Sequence, residues 1–442
     1  MQAPLRVALL GFGTVGQAVA RVLERNAREI RMRAGREIVV LGAAVRQVEK
    51  PRAFAAGFPL LNDPLALATR PEVDIVVELM GGVKEAGGAI LAALDTGKHV
   101  VTANKALLAA SGNAIFARAL ERGLMVGFEA AVAGGIPIIK SLREGLAANR
   151  IEEVTGILNG TCNSILTSMS ESGLSFAAAL AEAQRLGYAE ADPVLDVEGW
   201  DAAQKLSILV AIAFGMPIVP HGDISTEGIA RISPKDIRYA RDLGFAVKLL
   251  AIGRQTEDGV ELRVHPALVP EGTLFANVKG AMNAVLVRGD AVGETVFYGP
   301  GAGGEPTASS VVADIIEITR MATADPQNRV PHLAFQPQWV EEKTILPEGT
   351  WENERYFRFH VVDEPGVLAE ITAILAHEGI SIEAVQQKGA MEDRGVDVVV
   401  LAHRSLELAA RRALVQIMEL PRVLEAPVHL RVERLEGRAA LS

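Results

Sequence analysis

The segment GYAEADPVLDVEGWDAAQK (187–205) concentrates the side chains that could carry out acid–base chemistry. Within twelve residues it holds five carboxylates, and Lys205 follows them: Glu190, Asp192, Asp196, Glu198 and Asp201. A helix is predicted to begin near Gly199, which places Asp201 and Lys205 four residues apart on one helical face. A lysine held by carboxylates keeps its charge and can donate a proton to a developing alkoxide. The remaining carboxylates could bind an ammonium group.

Two other interpretations of this acidic segment remain open. The segment could be a solvated surface loop, in which the carboxylates serve only solubility. It could also hold a divalent metal ion through carboxylate oxygens, although the spacing of its acidic residues is not that of an EF-hand.

A second lysine lies in the motif TANK (102–105), directly after a predicted strand at 98–104. The carboxyl ends of parallel strands form the edge at which ligands bind in an open α/β sheet. The ammonium group of Lys105 could therefore contact a cofactor or a substrate oxygen. The alternative is a solvated lysine at the start of a helix.

The motif GFGTVG (11–16) follows a short apolar strand at 5–10 and opens a helix predicted to run to about Glu29. It matches the G-x-G-x-x-G pattern of dinucleotide-binding sites. Gly11 makes the tight turn, Gly13 lets the backbone approach a pyrophosphate, and Gly16 allows close packing of helix and strand. The pattern predicts a dinucleotide with its phosphates at the helix N-terminus.

The end of the second strand (37–45) indicates which dinucleotide is bound. An NAD-selective site is expected to carry an acidic residue there, on the ribose hydroxyls. This chain has Arg46 instead, with Lys50 and Arg52 close behind. A guanidinium group could hold a 2′-phosphate through two hydrogen bonds. NADP is therefore favoured, NAD remains possible, and the alternative is that these are surface charges.

Three further segments are open to more than one interpretation. GFEAAVAGGIPI (127–138) consists of small residues whose backbone carbonyl groups, with Glu129, could hold a monovalent cation; the alternative is a tight crossover. GPGAGG (299–304) could close over a cofactor or act as a hinge. Cys162 could be a nucleophile, but no histidine lies near it in sequence, and small buried cysteines are common.

Composition excludes several classes of protein. The chain has 442 residues and a formal charge of −10, from 44 Lys and Arg against 54 Asp and Glu. Such an acidic chain is a poor nucleic-acid binder. A single cysteine excludes a disulfide framework and fits the reducing cytoplasm. No uncharged apolar run reaches the ~18 residues of a membrane helix.

The elements that must position these residues divide into three predicted domains. Residues 1–135 alternate strands (5–10, 37–45, 73–80, 98–104 and 124–130) with helices, which predicts a doubly wound, Rossmann-type parallel sheet. A helix at about 305–322 is expected to complete it. Residues 136–304 are predicted to form an α+β catalytic and dimerisation domain, and 323–350 a linker. Residues 351–442 follow the order βαββαβ of a ferredoxin-like module.

Taken together, GFGTVG, TANK, EAAVAGGIPI, NGTCN, GYAEADPVLDVEGWDAAQK and GPGAGGEPTAS resemble the homoserine dehydrogenase family over about residues 1–325. The 187–205 motif is the most specific of them. The segment 361–387, VVDEPGVLAEITAILAHEGISIEAVQQ, resembles an ACT domain. The resemblance implies reversible NAD(P)-dependent interconversion of L-homoserine and L-aspartate 4-semialdehyde, a step toward threonine, methionine and isoleucine.

The resemblance also implies roles for individual residues. Lys205 matches the general acid/base, and Lys105 matches a lysine near nicotinamide and substrate; which of the two delivers the proton stays open. The carboxylates that match substrate binding, or lie with those that do, are Asp201, Glu190 and Asp196. Beside the three fingerprint glycines, the matching cofactor contacts are Lys105, Thr14, Val15, Arg46, Gly187 and Gly303. The residues that match a sodium site, made largely of backbone carbonyl groups, are Glu129, Val132, Gly134 and Ile136.

Two other functions compete with this interpretation. An acylating semialdehyde dehydrogenase would need a cysteine nucleophile with a paired histidine, which makes Cys162 the residue that discriminates. A regulatory amino-acid sensor with an inactive dinucleotide fold would not need an intact 187–205 cluster.

The ACT resemblance implies regulation. ACT modules pair edge to edge and bind an amino acid at the interface, which predicts a homodimer or homotetramer. The turn at 363–366 is the expected effector site, and the pathway product L-threonine is the leading effector. Truncation near residue 350 is then expected to abolish inhibition. The alternative is that the tail only assembles subunits.

Overall fold

The computed structural model describes residues 3–50, 52–388 and 395–435. Its first region contains a six-stranded parallel sheet, counted over the described residues, with strand order β3-β2-β1-β4-β5-β6. The strands are β1 (Leu5–Leu10), β2 (Ile38–Ala44), β3 (Leu60–Leu61), β4 (Ile75–Glu78), β5 (His99–Thr102) and β6 (Val126–Gly127). The helices between them are α1 (Thr14–Arg25), α2 (Ala27–Ala34), α3 (Pro64–Ala68), α4 (Lys84–Asp95) and α5 (Lys105–Glu121).

This strand order confirms the predicted Rossmann-type fold, with two local corrections. Strand β3 was not predicted, because two residues carry no periodic pattern. The first helix ends at Arg25 rather than near Glu29, because Asn26 leaves the helical conformation and a second helix begins after it.

The second region combines an open sheet with helices. Its strands are β7 (Ile151–Ile157), β8 (Ser225–Thr226), β9 (Phe245–Gln255), β10 (Val260–Pro270), β11 (Met282–Gly289) and β12 (Gly293–Pro300). Its helices are α6 (Ile138–Lys140), α7 (Gly160–Ser172), α8 (Phe176–Arg185), α9 (Val194–Val197), α10 (Trp200–Phe214), α11 (Pro234–Asp242) and α12 (Gly304–Met321). The long strands pair antiparallel in the order β12-β11-β7-β9-β10, which confirms the predicted α+β character.

Three helices in this region differ from what the sequence predicts. The pattern of residues 136–147 predicts one helix, but these residues form a three-residue α6 followed by a π-helical turn, Ser141–Gly145. The four-residue α9 is not predicted. Helix α11 was missed, although its start carries a recognisable capping signal. Ser233 Oγ accepts a hydrogen bond from the backbone N–H of Asp236, and Pro234 occupies the first helical position.

The last region has the βαββαβ order that the sequence predicts. Its elements are β13 (Glu352–Val362), α13 (Val367–His377), β14 (Ile382–Lys388), β15 (Gly395–Leu406), α14 (Glu407–Met418) and β16 (Val428–Val432). Residues 389–394 and 436–442 of the predicted 351–442 domain lie outside the described residues. The strand order β16-β13-β15-β14 confirms the ferredoxin-like fold.

The last two regions share one sheet, which the sequence did not predict. Strand β16 pairs antiparallel with β13 and parallel with β10, so β10 and the ferredoxin-like module are hydrogen-bonded neighbours. Leu430 and Val432 of β16 are buried in the same apolar core as Leu262 and Val264 of β10. The C-terminal module therefore contributes to the core of the preceding domain.

Helix α12 packs against the first sheet. Val311, Ile315 and Ile318 are buried in one apolar cluster with residues of β1 and α1. At the start of α12, the carboxylate of Glu305 pairs with Arg21 and Arg25 of α1. None of the helices in the described ranges is long and apolar enough to cross a membrane.

The segment expected to be a linker is packed against both preceding regions. His332 Nε2 accepts a hydrogen bond from the backbone N–H of Val126 (3.1 Å), on the edge strand of the parallel sheet, and its ring stacks on Phe116. Further on, Val260 N–H donates to the carbonyl of Thr344 (2.9 Å). The segment thus covers a sheet edge whose backbone groups would otherwise lack partners.

His332 should make stability depend on pH. Burial, with the nearby Arg143 and Arg329, lowers the pKa of His332 to about 3. As the pH falls below the unfolded-state pKa of about 6.5, only the unfolded chain gains the proton, so stability is lost between about pH 6.5 and 3. The variant His332→Gln keeps a hydrogen-bond acceptor but cannot titrate. When the pH is lowered from 7 to 5, the stability of the variant relative to the native protein should therefore rise by about 1–2 kcal/mol.

Thermal unfolding of both proteins at the two pH values measures this difference. His403→Gln, which makes the same replacement at an exposed histidine, is the matched control. If the stability difference between His332→Gln and the native protein is the same at pH 7 and pH 5, the lowered pKa of His332 is contradicted.

Candidate active site

Asp201 lies between two lysines that come from different regions of the chain. Lys205, one turn further along α10, places its Nζ 2.7 Å from Asp201 Oδ2, as their spacing predicts. Lys105, the first residue of α5, places its Nζ 3.0 Å from Asp201 Oδ1. The Nζ of Lys205 also donates to the carbonyl oxygen of Leu158 (2.7 Å). One carboxylate therefore joins the Rossmann-type sheet to helix α10.

The charges of this cluster are coupled. Burial alone would raise the pKa of Asp201, but the ammonium groups of Lys205 and Lys105 outweigh it, and the pKa is lowered. Conversely, the Asp201 carboxylate raises the pKa of Lys105 against the effect of burial. Asp201 therefore remains ionised and holds an ammonium group on each side.

Asn159 completes the cluster and was missed at the level of sequence. Its Nδ2 donates both to Asp196 Oδ1 (2.7 Å) and to Asp201 Oδ2 (2.8 Å). Its Oδ1 accepts the backbone N–H of Cys162, so the same side chain caps α7. The sequence signal that could have identified Asn159 is an asparagine directly before a helical pattern, in NGTCN. Burial and the Asp201 carboxylate raise the pKa of Asp196.

The five predicted carboxylates do not form one cluster. Asp196 and Asp201 share Asn159, whereas Glu190, Asp192 and Glu198 are exposed. Glu190 lies close enough to contribute to the raised pKa of Lys105. Asp192 Oδ1 accepts the backbone N–H of Val194, which makes it a turn residue. Across residues 3–50, 52–388 and 395–435, no group of three or more His, Cys, Asp and Glu side chains could hold a metal ion.

The three fingerprint glycines differ in their surroundings. Gly11 has φ +106°, and a Cβ there would meet the backbone of Leu79. A Cβ at Gly16 would collide with the Gly11 carbonyl oxygen, whereas the space at Gly13 is open. No side chain caps α1, so its first N–H groups are available for an anion. These features fit the pyrophosphate of a dinucleotide.

The other predicted cofactor contacts lie around this loop. Thr14 and Val15 begin α1, and a Cβ at Gly304, next to Gly303, would contact Thr14. Arg46 is exposed, two residues beyond the end of β2. Gly187 follows α8 with φ +78° and open space around it.

Arg52 differs from the expectation. Its guanidinium group donates to the carbonyl oxygens of Gln47, Val48 and Lys50, so it closes the loop after β2. Of the basic residues considered for the 2′-phosphate, Arg46 therefore has the more suitable position.

Glu78 is a second residue that the sequence did not single out. It is fully buried at the end of β4, and its Oε1 accepts the backbone N–H groups of Met80 and Gly81. Its Oε2 accepts the hydroxyl of Thr102 at the end of β5. Glu78 thereby shapes the loop against which Gly11 packs. The sequence signal that could have identified Glu78 is a carboxylate at the end of an apolar strand.

Several of the oxygen atoms of the 129–138 loop that could hold a cation already take part in hydrogen bonds. The two carboxylate oxygens of Glu129 already accept the N–H groups of Ile139 and Lys140, both at 2.8 Å. The carbonyl of Gly134 accepts Ser310 Oγ and that of Ile136 accepts the N–H of Ile138, which leaves each a second lone pair.

The structure argues against Cys162 as a nucleophile. The residue is completely buried, and its Sγ lies 3.1 Å from the carbonyl oxygen of Asp196, to which it donates. Burial, with the Asp196 charge, raises the pKa of the thiol well above its ordinary value. A thiol in this state is a poor nucleophile.

A glycine loop and a lysine–carboxylate cluster at the carboxyl edge of one parallel sheet are typical of a dinucleotide-dependent oxidoreductase. Residues 11–129 match the family profile "Homoserine dehydrogenase, NAD binding domain", residues 137–316 match "Homoserine dehydrogenase", and residues 355–417 match "ACT domain". The chain belongs to the homoserine dehydrogenase family and is an NAD(P)-dependent oxidoreductase.

Individual relatives agree with this assignment. A homoserine dehydrogenase of Pseudomonas aeruginosa is 52% identical over 433 residues, which cover 98% of this chain and 99% of the relative. The crystal structure of one from Thiobacillus denitrificans superposes with a TM-score of 0.94 at 54% identity, covering 98% of this chain and 99% of that chain. A hyperthermophilic archaeal homoserine dehydrogenase in complex with NADPH has a TM-score of 0.60 at 27% identity, covering 72% and 98%. The resemblance inferred from the motifs is thus confirmed.

Proposed function

We propose that this protein catalyses the reversible reduction of L-aspartate 4-semialdehyde to L-homoserine, in the route to threonine, methionine and isoleucine. The observation that carries the proposal is the cluster of Lys205, Asp201 and Lys105, whose third member begins α5 at the carboxyl edge of the sheet that carries the glycine loop. Its charges suit an amino-acid substrate whose aldehyde oxygen must receive a proton.

Each residue has a separate part in this reaction. The bound dinucleotide supplies the hydride for the aldehyde carbon. Lys205 donates the proton to the aldehyde oxygen, while Asp201 keeps its ammonium group charged and oriented. Asp196 and Glu190 bind the substrate ammonium group together with Asp201, and Asn159 holds two of these carboxylates in place. Lys105 lies on the cofactor side, where it can bind a substrate oxygen.

The preferred cofactor in this proposal is NADP. Arg46 stands exposed at the end of β2, where an NAD-selective enzyme would place an acidic side chain. The archaeal relative in complex with NADPH supports the same choice. NAD can occupy the same loop, because the contacts at Gly11 to Gly16 involve only the shared pyrophosphate.

Initial rates of homoserine oxidation with NADP⁺ and with NAD⁺ test the function and the cofactor together. We expect activity with both and a higher kcat/KM with NADP⁺. Arg46→Ala should raise the KM for NADP⁺ by about tenfold or more and leave the KM for NAD⁺ unchanged, because only NADP⁺ has the 2′-phosphate. Arg28→Ala, at an exposed arginine of α2, is the matched control. No homoserine-dependent reduction of either cofactor would refute the proposed function.

A monovalent cation, sodium in particular, is proposed for the 129–138 loop. Its ligands would be backbone carbonyl groups at Glu129, Val132, Gly134 and Ile136. The 129–138 loop packs closely against the second glycine loop, where a Cβ at Gly134 would collide with Gly301. A cation bound in the 129–138 loop would stabilise this contact.

The proposed domain functions follow the chain order. Residues 1–135 with helix α12 bind the cofactor, 136–304 bind the substrate and pair subunits, 323–350 connect, and 351–442 regulate. L-threonine is the proposed effector at the 363–366 turn, where Gly366 has φ +97°. The protein is proposed to act in the cytoplasm as a homodimer or homotetramer. Adding L-threonine to the same assay tests the effector.

A further inference from the structure

One buried arginine of the ACT module is bonded to the catalytic domain. Arg431 lies on β16 and is only 2% exposed. Its Nη2 lies 2.6 Å from Glu407 Oε1, within the ACT module, and 2.7 Å from Glu227 Oε1, outside it. The guanidinium group therefore bridges α14 and the segment that follows β8.

The segment that carries Glu227 is attached to the same strand as the ACT module. Strand β8, which immediately precedes Glu227, pairs with β10 on residues 263 and 264, and β16 pairs with β10 on residues 267 and 268. The backbone N–H of Glu227 also donates to the carbonyl of Val264 (2.8 Å). The position of Glu227 is thus set by β10 through its backbone and by Arg431 through its side chain.

On its other side, the same segment packs directly against the start of the catalytic helix. A Cβ at Gly228 would collide with the carbonyl oxygen of Val197, and the N–H of Ile229 donates to that carbonyl (2.8 Å). Gly199, which precedes α10, has φ +84°, and a Cβ there would lie 3.0 Å from Thr226. Between Gly228 and Val197 backbone therefore contacts backbone, with no flexible side chain to absorb a displacement.

We propose that Glu227 and Arg431 are positioning residues, through which the ACT module sets the position of the segment 194–201 and hence of the substrate-binding carboxylates. This inference rests on the proposed function of that segment. Asp196 and Asp201 lie at most three residues from Gly199, so a shift of the 226–229 segment reaches both carboxylates. The glycine loop proposed to bind the nucleotide lies on the other sheet, and the two sites meet at Lys105, which pairs with Asp201.

Glu227→Gln is the most direct test, because its side chain is 45% exposed and its loss leaves Arg431 paired with Glu407. We expect the KM for homoserine to rise about tenfold while the KM for the nucleotide stays within twofold. Glu354→Gln is the matched control. It removes a carboxylate that pairs with Arg434 at the same end of the ACT sheet, and it should leave both KM values unchanged.

Hydrogen exchange provides a second measurement on the same proteins. Glu227→Gln should increase exchange in peptides covering 194–201 and 226–229, with a melting temperature within a few degrees of the native value. An unchanged homoserine KM in Glu227→Gln, or an equal rise in Glu354→Gln, would overturn the inference. Failure of the proposed function is distinguishable, because the native protein would then not oxidise homoserine at all.

Discussion

Replacing Lys205 with alanine is expected to lower kcat by about a thousandfold, the middle of the range for loss of a general acid. The ammonium group of Lys205 is buried beside Asp201 and Leu158, and water cannot take its place with the same orientation. Lys105 remains bound to Asp201 in the variant, so the nucleotide and substrate should still bind. The loss should therefore fall on kcat more than on either KM.

The informative comparison is Cys162→Ala, measured under the same conditions. Its thiol is buried and donates only to a carbonyl, so activity should stay within about threefold of the native enzyme. Nucleotide binding by fluorescence titration confirms that each variant is folded. The opposite pattern, with an inactive Cys162→Ala and an active Lys205→Ala, would favour the acylating semialdehyde dehydrogenase.

Ending the chain after residue 350 is expected to destabilise the whole protein and not merely to remove regulation. Arg263 of β10 is fully buried and donates to Glu433 Oε1 (2.9 Å) and Asn353 Oδ1 (2.7 Å). Both partners would be lost, together with the indole of Trp351 that lies under the guanidinium group. Breaking a buried ion pair costs about 3–5 kcal/mol, because the remaining buried charge loses its closest partner. Arg263 would keep the more distant Glu261, at 3.6 Å.

The truncated protein should therefore aggregate or unfold about 10 °C or more below the native protein. Ending the chain after Leu435 keeps β16 and its pairing with β10, and it serves as the matched control. A monodisperse truncated protein with a native melting temperature would show that the shared sheet contributes little. Truncation near residue 350 is therefore unsuitable as a test of threonine inhibition, because it is expected to unfold the protein. Point substitutions in the 363–366 turn test the effector site instead.

Local patterns were sufficient for the fold class and for the central chemistry. The glycine spacing of 11–16 corresponds to close backbone approaches at Gly11 and Gly16 and to open space at Gly13. The four-residue spacing of Asp201 and Lys205 places the two groups in contact. The order of apolar segments predicted all three folds, since strand and helix periodicities are properties of neighbouring residues. The missed elements include β3, β8 and α9, which are too short to show a periodic pattern. Helix α11 was missed although its capping signal lies in the sequence.

By itself, the sequence therefore determined the family, the three folds and the pairing of Asp201 with Lys205, because each depends on residues close together in the chain. Only the tertiary structure decided which carboxylates share a site, since Asn159 and Lys105 reach Asp201 from positions 42 and 96 residues away in sequence. The tertiary structure also decided that the C-terminal module shares a sheet with β10 and supplies partners for the buried charges of that strand. Contacts of this kind form between segments that are distant in sequence, and the periodicity within either segment does not predict them.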